Sequence, residues 1–234
     1  MSSAARHRQI IDASLLSFIA GFVDTCVFVG LFGLFTAHVT GNLALIGTEI
    51  VHREGSDVIP KLLSLPVFVL AVVIAVKAAD YLKRRGLHRI APLLCAEAVL
   101  LVLTMVTAAA FGPLVNAEDP IPITVGMLAA AAMGLQNALM RLELTSLPST
   151  TVMTTNVTQA VIDAVIIITA SHDTPADARH LEDSRHRFER MWPPIVTFAL
   201  GAIGGAAGYA WLHFASLLLP ALLCLLVAYR FSNR

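Results

Sequence analysis

The chain has 234 residues, 57% of them hydrophobic and 14% charged, and its 16 basic and 16 acidic side chains leave a formal net charge of zero. With a mean hydropathy of +0.76 it carries more apolar surface than one water-soluble core can bury, so a lipid bilayer is its expected partner. The neutral balance argues against nucleic acid, and Cys26, Cys95 and Cys224 lie in apolar segments without metal-ligand spacing, so neither metal nor cofactor is expected.

Apolar segments run over about 11–35, 36–51, 62–82, 90–111, 122–143, 149–171, 191–212 and 214–231, and a helix needs about 20 such residues to cross a bilayer. The first follows Arg6 and Arg8 as a signal peptide would, but its run to Phe35 is longer than a cleavable core needs, so it is expected to remain as a span. Asp24 lies near its middle, where a carboxylate costs roughly 2.5–3.5 kcal/mol on insertion scales unless it is paired, hydrated or protonated. The second segment is short and punctuated by His38, Thr40, Gly41, Asn42 and Glu49. A helix starting at Gly41 would offer free N–H groups to an anion, whereas threonine and carbonyl oxygens suit a cation, so the sign of a bound group stays open. Lys77 and Asp80 belong to the surface end of the third segment, and Glu97 in the fourth is expected to reach Arg89 or snorkel. The fifth brings Gln136 and Asn137, with Arg141 and Glu143 at its interfacial end, and Pro148–Ser149 is the expected start of the sixth helix. Residues 172–190, rich in both acids and arginines, read as a solvated, partly helical cytoplasmic loop. Gly201, Gly204, Gly205 and Gly208 in the seventh segment form small-xxx-small pairs for close helix packing, within the chain or between copies in a homo-oligomer.

A short pattern recurs. Thr36, Thr40, Gly41 and Asn42 return 114 residues later as Thr150, Thr154, Thr155 and Asn156, and the same offset pairs Glu49 with Asp163. An offset of 113 pairs Gly21 with Gly134 and Asp24 with Asn137; one of 130 pairs Phe68 and Leu70 with Phe198 and Leu200; one of 128 pairs Pro92 with Pro220. The expected architecture is therefore all-α: one polytopic membrane bundle over 1–234, made of two related halves, 11–111 and 122–231.

Charge chooses the topology. If 36–51 and 149–171 dip in and return, six crossings remain, and Arg53 and Lys61 are the only basic residues left in the outer stretches, Lys77 lying within a span. If all eight segments cross, in a 4+4 arrangement, more basic residues fall outside. An inverted 3+3 arrangement is thus the expectation.

The candidate substrate-binding residues are Asp24, Thr36, Thr40, Gly41, Asn42, Gln136, Asn137, Thr154 and Asn156, expected to form one central site between the halves. The structural alternative is that these groups hold helices together, worth about 0.6–2 kcal/mol each. A transporter or channel for a small polar solute or ion is the expected function. A membrane-embedded enzyme acting on a lipid or small molecule is the alternative, although no H-E-x-x-H pattern or nucleophile–base set appears, so no catalytic role is expected. A scaffold or sensor working through 172–190 is a third class.

The stretch Ala20 to Asp24, then Phe35 to Asn42, with Gly134 to Asn137 and Thr154 to Thr158, resembles the YoaK family of bacterial integral membrane proteins. Where that family carries a glycine after Thr158, this chain has Gln159. The resemblance implies a bacterial inner-membrane location and a six-span architecture, and it assigns neither a substrate nor site residues.

Overall fold

The computed structural model describes residues 3–52, 57–145, 147–150, 153–170 and 175–233; Arg53, used in the charge argument, lies outside the described residues. The regular structure among the described residues is all helical: α1 (Ser3–Gly30), α2 (Gly41–His52), α3 (Val58–Arg84), α4 (Ile90–Phe111), α5 (Pro120–Leu142), α6 (Met153–Thr169), α7 (Pro175–Leu212), a short 3-10 turn at His213–Leu217, and α8 (Leu218–Ser232). Among the described residues, five stretches are long and apolar enough to cross a membrane, and the last of them, Asp177–Ser232, takes in most of α7 and all of α8. Large apolar side chains on α3, α4 and α8, such as Leu70, Ile74, Val102, Val106, Leu222 and Leu226, face outward. In water such a surface would aggregate, and the chain is a multi-pass membrane protein.

The two short helices stand apart. At 1.5 Å per residue, α2 and α6 are only about 18 and 26 Å long, less than the hydrocarbon core of roughly 30 Å. The described sixth helix runs from Met153, and Pro148 and Ser149, its expected start, lie outside any helix; Thr150 is held instead by Gln136 of α5 and Ser149 by Asn156. The stretch 172–190, expected to be a partly helical loop, is helical from Pro175 onward, as the first part of α7, a 38-residue helix. Proline at the first helical position is compatible with helix geometry, and its alternating acids and bases support one another at helical spacing, as in Glu182–His186.

Glycines let the helices meet. A Cβ at Gly21 would strike the Phe198 carbonyl oxygen, one at Gly201 the Phe18 oxygen, and one at Gly205 the Phe22 oxygen. Positions rise together along both chains, so α1 and α7 run parallel. Gly134 on α5 is packed against Phe68 and Ala71 of α3 in the same manner, with the Phe68 oxygen 3.0 Å from a built Cβ. The expected small-residue packing is therefore realised within the chain. α8 runs against α1, since its last turn brings Arg230 to Asp12 at 2.8 Å. α4 runs against α5, with Arg89 at its start 2.7 Å from Glu143 just past the end of α5. These two ion pairs lie at one end of the bundle, with the bases Lys83 and Arg84 at the end of α3 and Arg187 and Arg190 on α7. The core lies between α1, α4, α5 and α8 and includes Leu16, Ile19, Val23, Leu94, Leu101, Met133, Leu139, Leu217 and Val227.

Glu97 neither reaches Arg89 nor snorkels. It is 1% exposed, because it lies on the face of α4 that packs into this core, while Glu143 takes Arg89. Cys95, two residues earlier, is exposed rather than buried, and Cys26 and Cys224 are in the core.

Candidate functional site

Past Gly30 the chain reverses at once. Phe32 and Gly33 take φ of 51° and 78°, the left-handed region that ends helices, and the Gly33 N–H bonds back to the Phe28 carbonyl at 3.0 Å. The following residues descend alongside α1 until they meet Asp24, which is six residues, about 9 Å, back along the helix. There the loop is gathered onto one carboxylate. Asp24 Oδ1 accepts the backbone N–H groups of Thr36 and Ala37, both at 2.7 Å, and the Thr36 hydroxyl at 3.3 Å. Asp24 Oδ2 accepts from His38 Nδ1 at 2.6 Å. Irregular backbone is tolerated at membrane depth only when its polar groups are satisfied by protein or water, and Asp24 satisfies this stretch. The segment thus returns into the bundle before α2 leaves it.

This arrangement settles what Gly41 does. Helix α2 starts there, but the N–H groups of Gly41, Asn42 and Leu43 bond to the carbonyls of His38, Val39 and Thr40 at 2.7, 3.2 and 3.2 Å. The expected free donors for an anion are already used, and the anion held by the loop is the protein's own carboxylate. Asn42 has a separate task. Its side chain accepts from the Phe35 N–H at 2.9 Å and donates to the Phe35 carbonyl at 2.8 Å and to Ser64 on α3 at 2.8 Å.

The loop after α5 behaves alike. Gln136 is six residues before the end of α5, and its amide donates to Thr150 Oγ1 at 3.3 Å and to the Leu16 carbonyl of α1 at 2.7 Å. Asn156 donates to the Ser149 carbonyl at 2.6 Å, again seven residues back. Asn137 donates to the Met133 carbonyl at 3.0 Å and lines a cavity of about 140 Å³ with Arg141, Thr145 and Ser149.

The candidate residues therefore fall into two groups, not one. Asp24, Thr36 and Asn42 are brought together with Gly41 at the first loop, and Gln136 and Asn156 hold the second. Gln136 touches α1 at Leu16, and Asp24 is eight residues further on, about 12 Å along the axis. Thr40, in the turn before α2, and Thr154, on α6, are exposed and join neither group.

Each short helix is also pinned by an ion pair. Glu49 on α2 pairs with Lys61 of α3, whose side chain is 4% exposed. Asp163 on α6 is fully buried and pairs with Arg187 of α7 at 2.8 Å. The Asp163 carboxylate, by hydrogen bond and then by charge, raises the Arg187 guanidinium further above its ordinary range, and Ser184 Oγ accepts from the same guanidinium at 2.9 Å.

Sequence reasoning missed His38, Lys61, Ser64 and Arg187. The signal for His38 was its place two residues beyond Thr36, in a segment expected to fold back toward Asp24. The signal for both bases was that Glu49 and Asp163 share a repeat position, so each acid called for a partner at the start of the helix that follows. His38 is about a third exposed, with its ring edge-on to Phe198 at 5.6 Å between centroids, so the Asp24 pair opens to one side through the imidazole.

No curated protein and no solved structure matches the chain. A family model described as "Protein of unknown function (DUF1275)" matches residues 13–230, nearly the whole chain, in keeping with the resemblance to a YoaK-like family. The chain belongs to the DUF1275 family.

Proposed function

We propose that the protein carries a small polar solute or ion across the bacterial inner membrane, using two inverted halves and a charged centre at Asp24 and His38. Three correspondences support the inverted halves. Gly21 packs on Phe198 while its counterpart Gly134 packs on Phe68, the counterpart of Phe198, so the contacts cross between the halves. Asn42 and Asn156 clamp backbone seven residues back, and Glu49–Lys61 and Asp163–Arg187 pin the two short helices. On this reading the basic end of the bundle faces the cytoplasm.

The observation that carries the transport reading is the Asp24–His38 pair on unwound backbone inside the membrane. Transporters of inverted-repeat design use broken helices of this kind for substrate and coupling-ion sites, and an intramembrane carboxylate marks such a site by default. Oδ1 of Asp24 is committed to the loop, whereas Oδ2 meets the solute side only through His38. A protonated imidazole neutralises the carboxylate; a neutral imidazole, donating through Nδ1, leaves the negative charge to attract a cation. The sign of the charge favours a proton or cation as the coupled species.

The test is a flux survey of the full chain in proteoliposomes, compared with Asp24→Asn and His38→Gln. The expected result is a solute whose flux depends on pH or on a cation in the parent and loses that dependence in both variants. Flux with unchanged dependence in both variants, or no flux across a broad panel of ions and polar solutes, overturns the reading.

A further inference from the structure

Glu97 stands outside everything assigned so far. It lies on α4, 1% exposed, and neither carboxylate oxygen completes a hydrogen bond with the protein. The Cys224 thiol of α8 is its electrostatic neighbour but makes no bond of proper geometry to it. Two more buried polar atoms, Ser17 Oγ on α1 and Gln136 Oε1 on α5, lack protein partners.

These groups share a level. Ser17 is five residues from Asp12, Gln136 seven from Glu143, Cys224 six from Arg230 and Glu97 eight from Arg89, which puts all four roughly 8–12 Å above the ion pairs that close this end. Buried polar atoms without partners are rare in native proteins, and each calls for an explanation such as an ion, a water or a protonation event. An ionised carboxylate in this setting is the costliest of them, since nothing nearby carries a compensating positive charge. The elements packed on α4 bring none. The buried face of α5 has no titratable residue, the 3-10 turn contributes Phe214, Ser216 and Leu217, and α8 contributes Cys224; Cys95 on α4 itself is exposed. The nearest described bases on these helices, Arg89 and Arg230, are held by Glu143 and Asp12.

We propose that Glu97 is a proton-binding site. It holds a proton as the neutral carboxylic acid while the α1–α4–α5–α8 core is closed, and it releases that proton to water only when the Asp12–Arg230 and Arg89–Glu143 pairs part. The Cys224 thiol supplies a neutral polar neighbour for that proton. This site is separate from Asp24–His38 and does not depend on transport being the function.

The test is infrared difference spectroscopy on the purified full chain, parent minus Glu97→Gln, at neutral pH. The expected result is the carbonyl stretch of a protonated acid in the parent, absent from the variant, insensitive to sodium or potassium chloride and lost when Asp12→Asn and Glu143→Gln loosen the closing pairs at raised pH. Glu97→Gln, a neutral isostere, is expected to melt with the parent. Carboxylate bands in place of the acid stretch overturn the proposal, and so does an acid stretch that sodium or potassium abolishes, which would make the site one for a metal cation. Should Glu97→Gln fail to fold, Glu97→Asp serves in the subtraction, with a shifted acid stretch as the supporting result and carboxylate bands as the contrary one.

Discussion

Removing the Asp24 carboxyl separates its two roles. In Asp24→Ala the N–H groups of Thr36 and Ala37, each now 2.7 Å from Oδ1, lose their acceptor in a site where Asp24 is 3% exposed. A buried donor left unpaired costs about 1–3 kcal/mol, so the two together predict a loss of about 2–6 kcal/mol, before the Thr36 hydroxyl and His38 are counted. Asp24→Asn keeps an oxygen where Oδ1 is, and its amide nitrogen can donate to a neutral His38 Nδ1, so the loop stays in place and the loss is expected to stay under about 1.5 kcal/mol, the net worth of one ordinary hydrogen bond. The assay is thermal unfolding of the purified full chain, with limited proteolysis across residues 31–40 as a local probe. Expected is a large drop in melting temperature and new cleavage in Asp24→Ala, with near-parent behaviour in Asp24→Asn. An Asp24→Ala variant that melts with the parent and resists cleavage would refute the view that this carboxylate gathers the loop.

Gly205→Ala is expected to cost about 1–3 kcal/mol by overpacking α1 against α7, because its Cβ would meet the Phe22 carbonyl oxygen. Gly47→Ala, where a Cβ meets nothing within 4 Å, is expected to be neutral or stabilising by up to about 1 kcal/mol; equal melting shifts for the two would contradict the packing. Glu49→Gln alone leaves buried Lys61 with only the longer contact to Asp57, at 3.7 Å, and is expected to cost less than the about 3–5 kcal/mol of a wholly unpaired buried charge, whereas Glu49→Gln with Lys61→Met recovers much of the loss; a double-mutant cycle without coupling counts against the pair. Asn42→Ala and Asn156→Ala are each expected to lower stability by about 1–3 kcal/mol, with new proteolysis at the loop each one clamps and none at the other.

Much of the fold was legible because apolar length and charge are one-dimensional signals. The spans, the short second segment and the helix start at Gly41 follow from where polar residues interrupt apolar runs. The Gly201–Gly208 run announced a close crossing through spacing alone. What the chain did not reveal depends on which face of a helix turns inward. Glu97 lies two turns from Arg89, and only its rotation into the core, with Glu143 taking the arginine, explains why it does not snorkel. The candidate site was half legible: Thr36, Asn42, Thr150 and Asn156 stand out as polar groups in apolar segments, and Thr36, Asn42 and Asn156 read as parts of one substrate site, whereas in the structure the four hold two loops. Spacing alone did not reveal that the two groups are separate, because it does not show which turn of α1 each one meets: Gln136 reaches Leu16, whereas the first loop reaches Asp24. Likewise 172–190 read as only partly helical because charge signals water, and an exposed helix extension from Pro175 is equally content there.

The central claim is that the chain crosses the bilayer so that the turn between α4 and α5 and the charged start of α7 lie on opposite sides. The direct measurement uses a Cys95→Ala background, in which the remaining Cys26 and Cys224 are buried, with single cysteines placed at Asn116 or His180 and exposed to a membrane-impermeant maleimide in intact cells. Labelling of Asn116→Cys from outside, with His180→Cys labelled only after the cells are opened, is the predicted result. Labelling of both positions from the same side would contradict it and return the chain to eight full crossings.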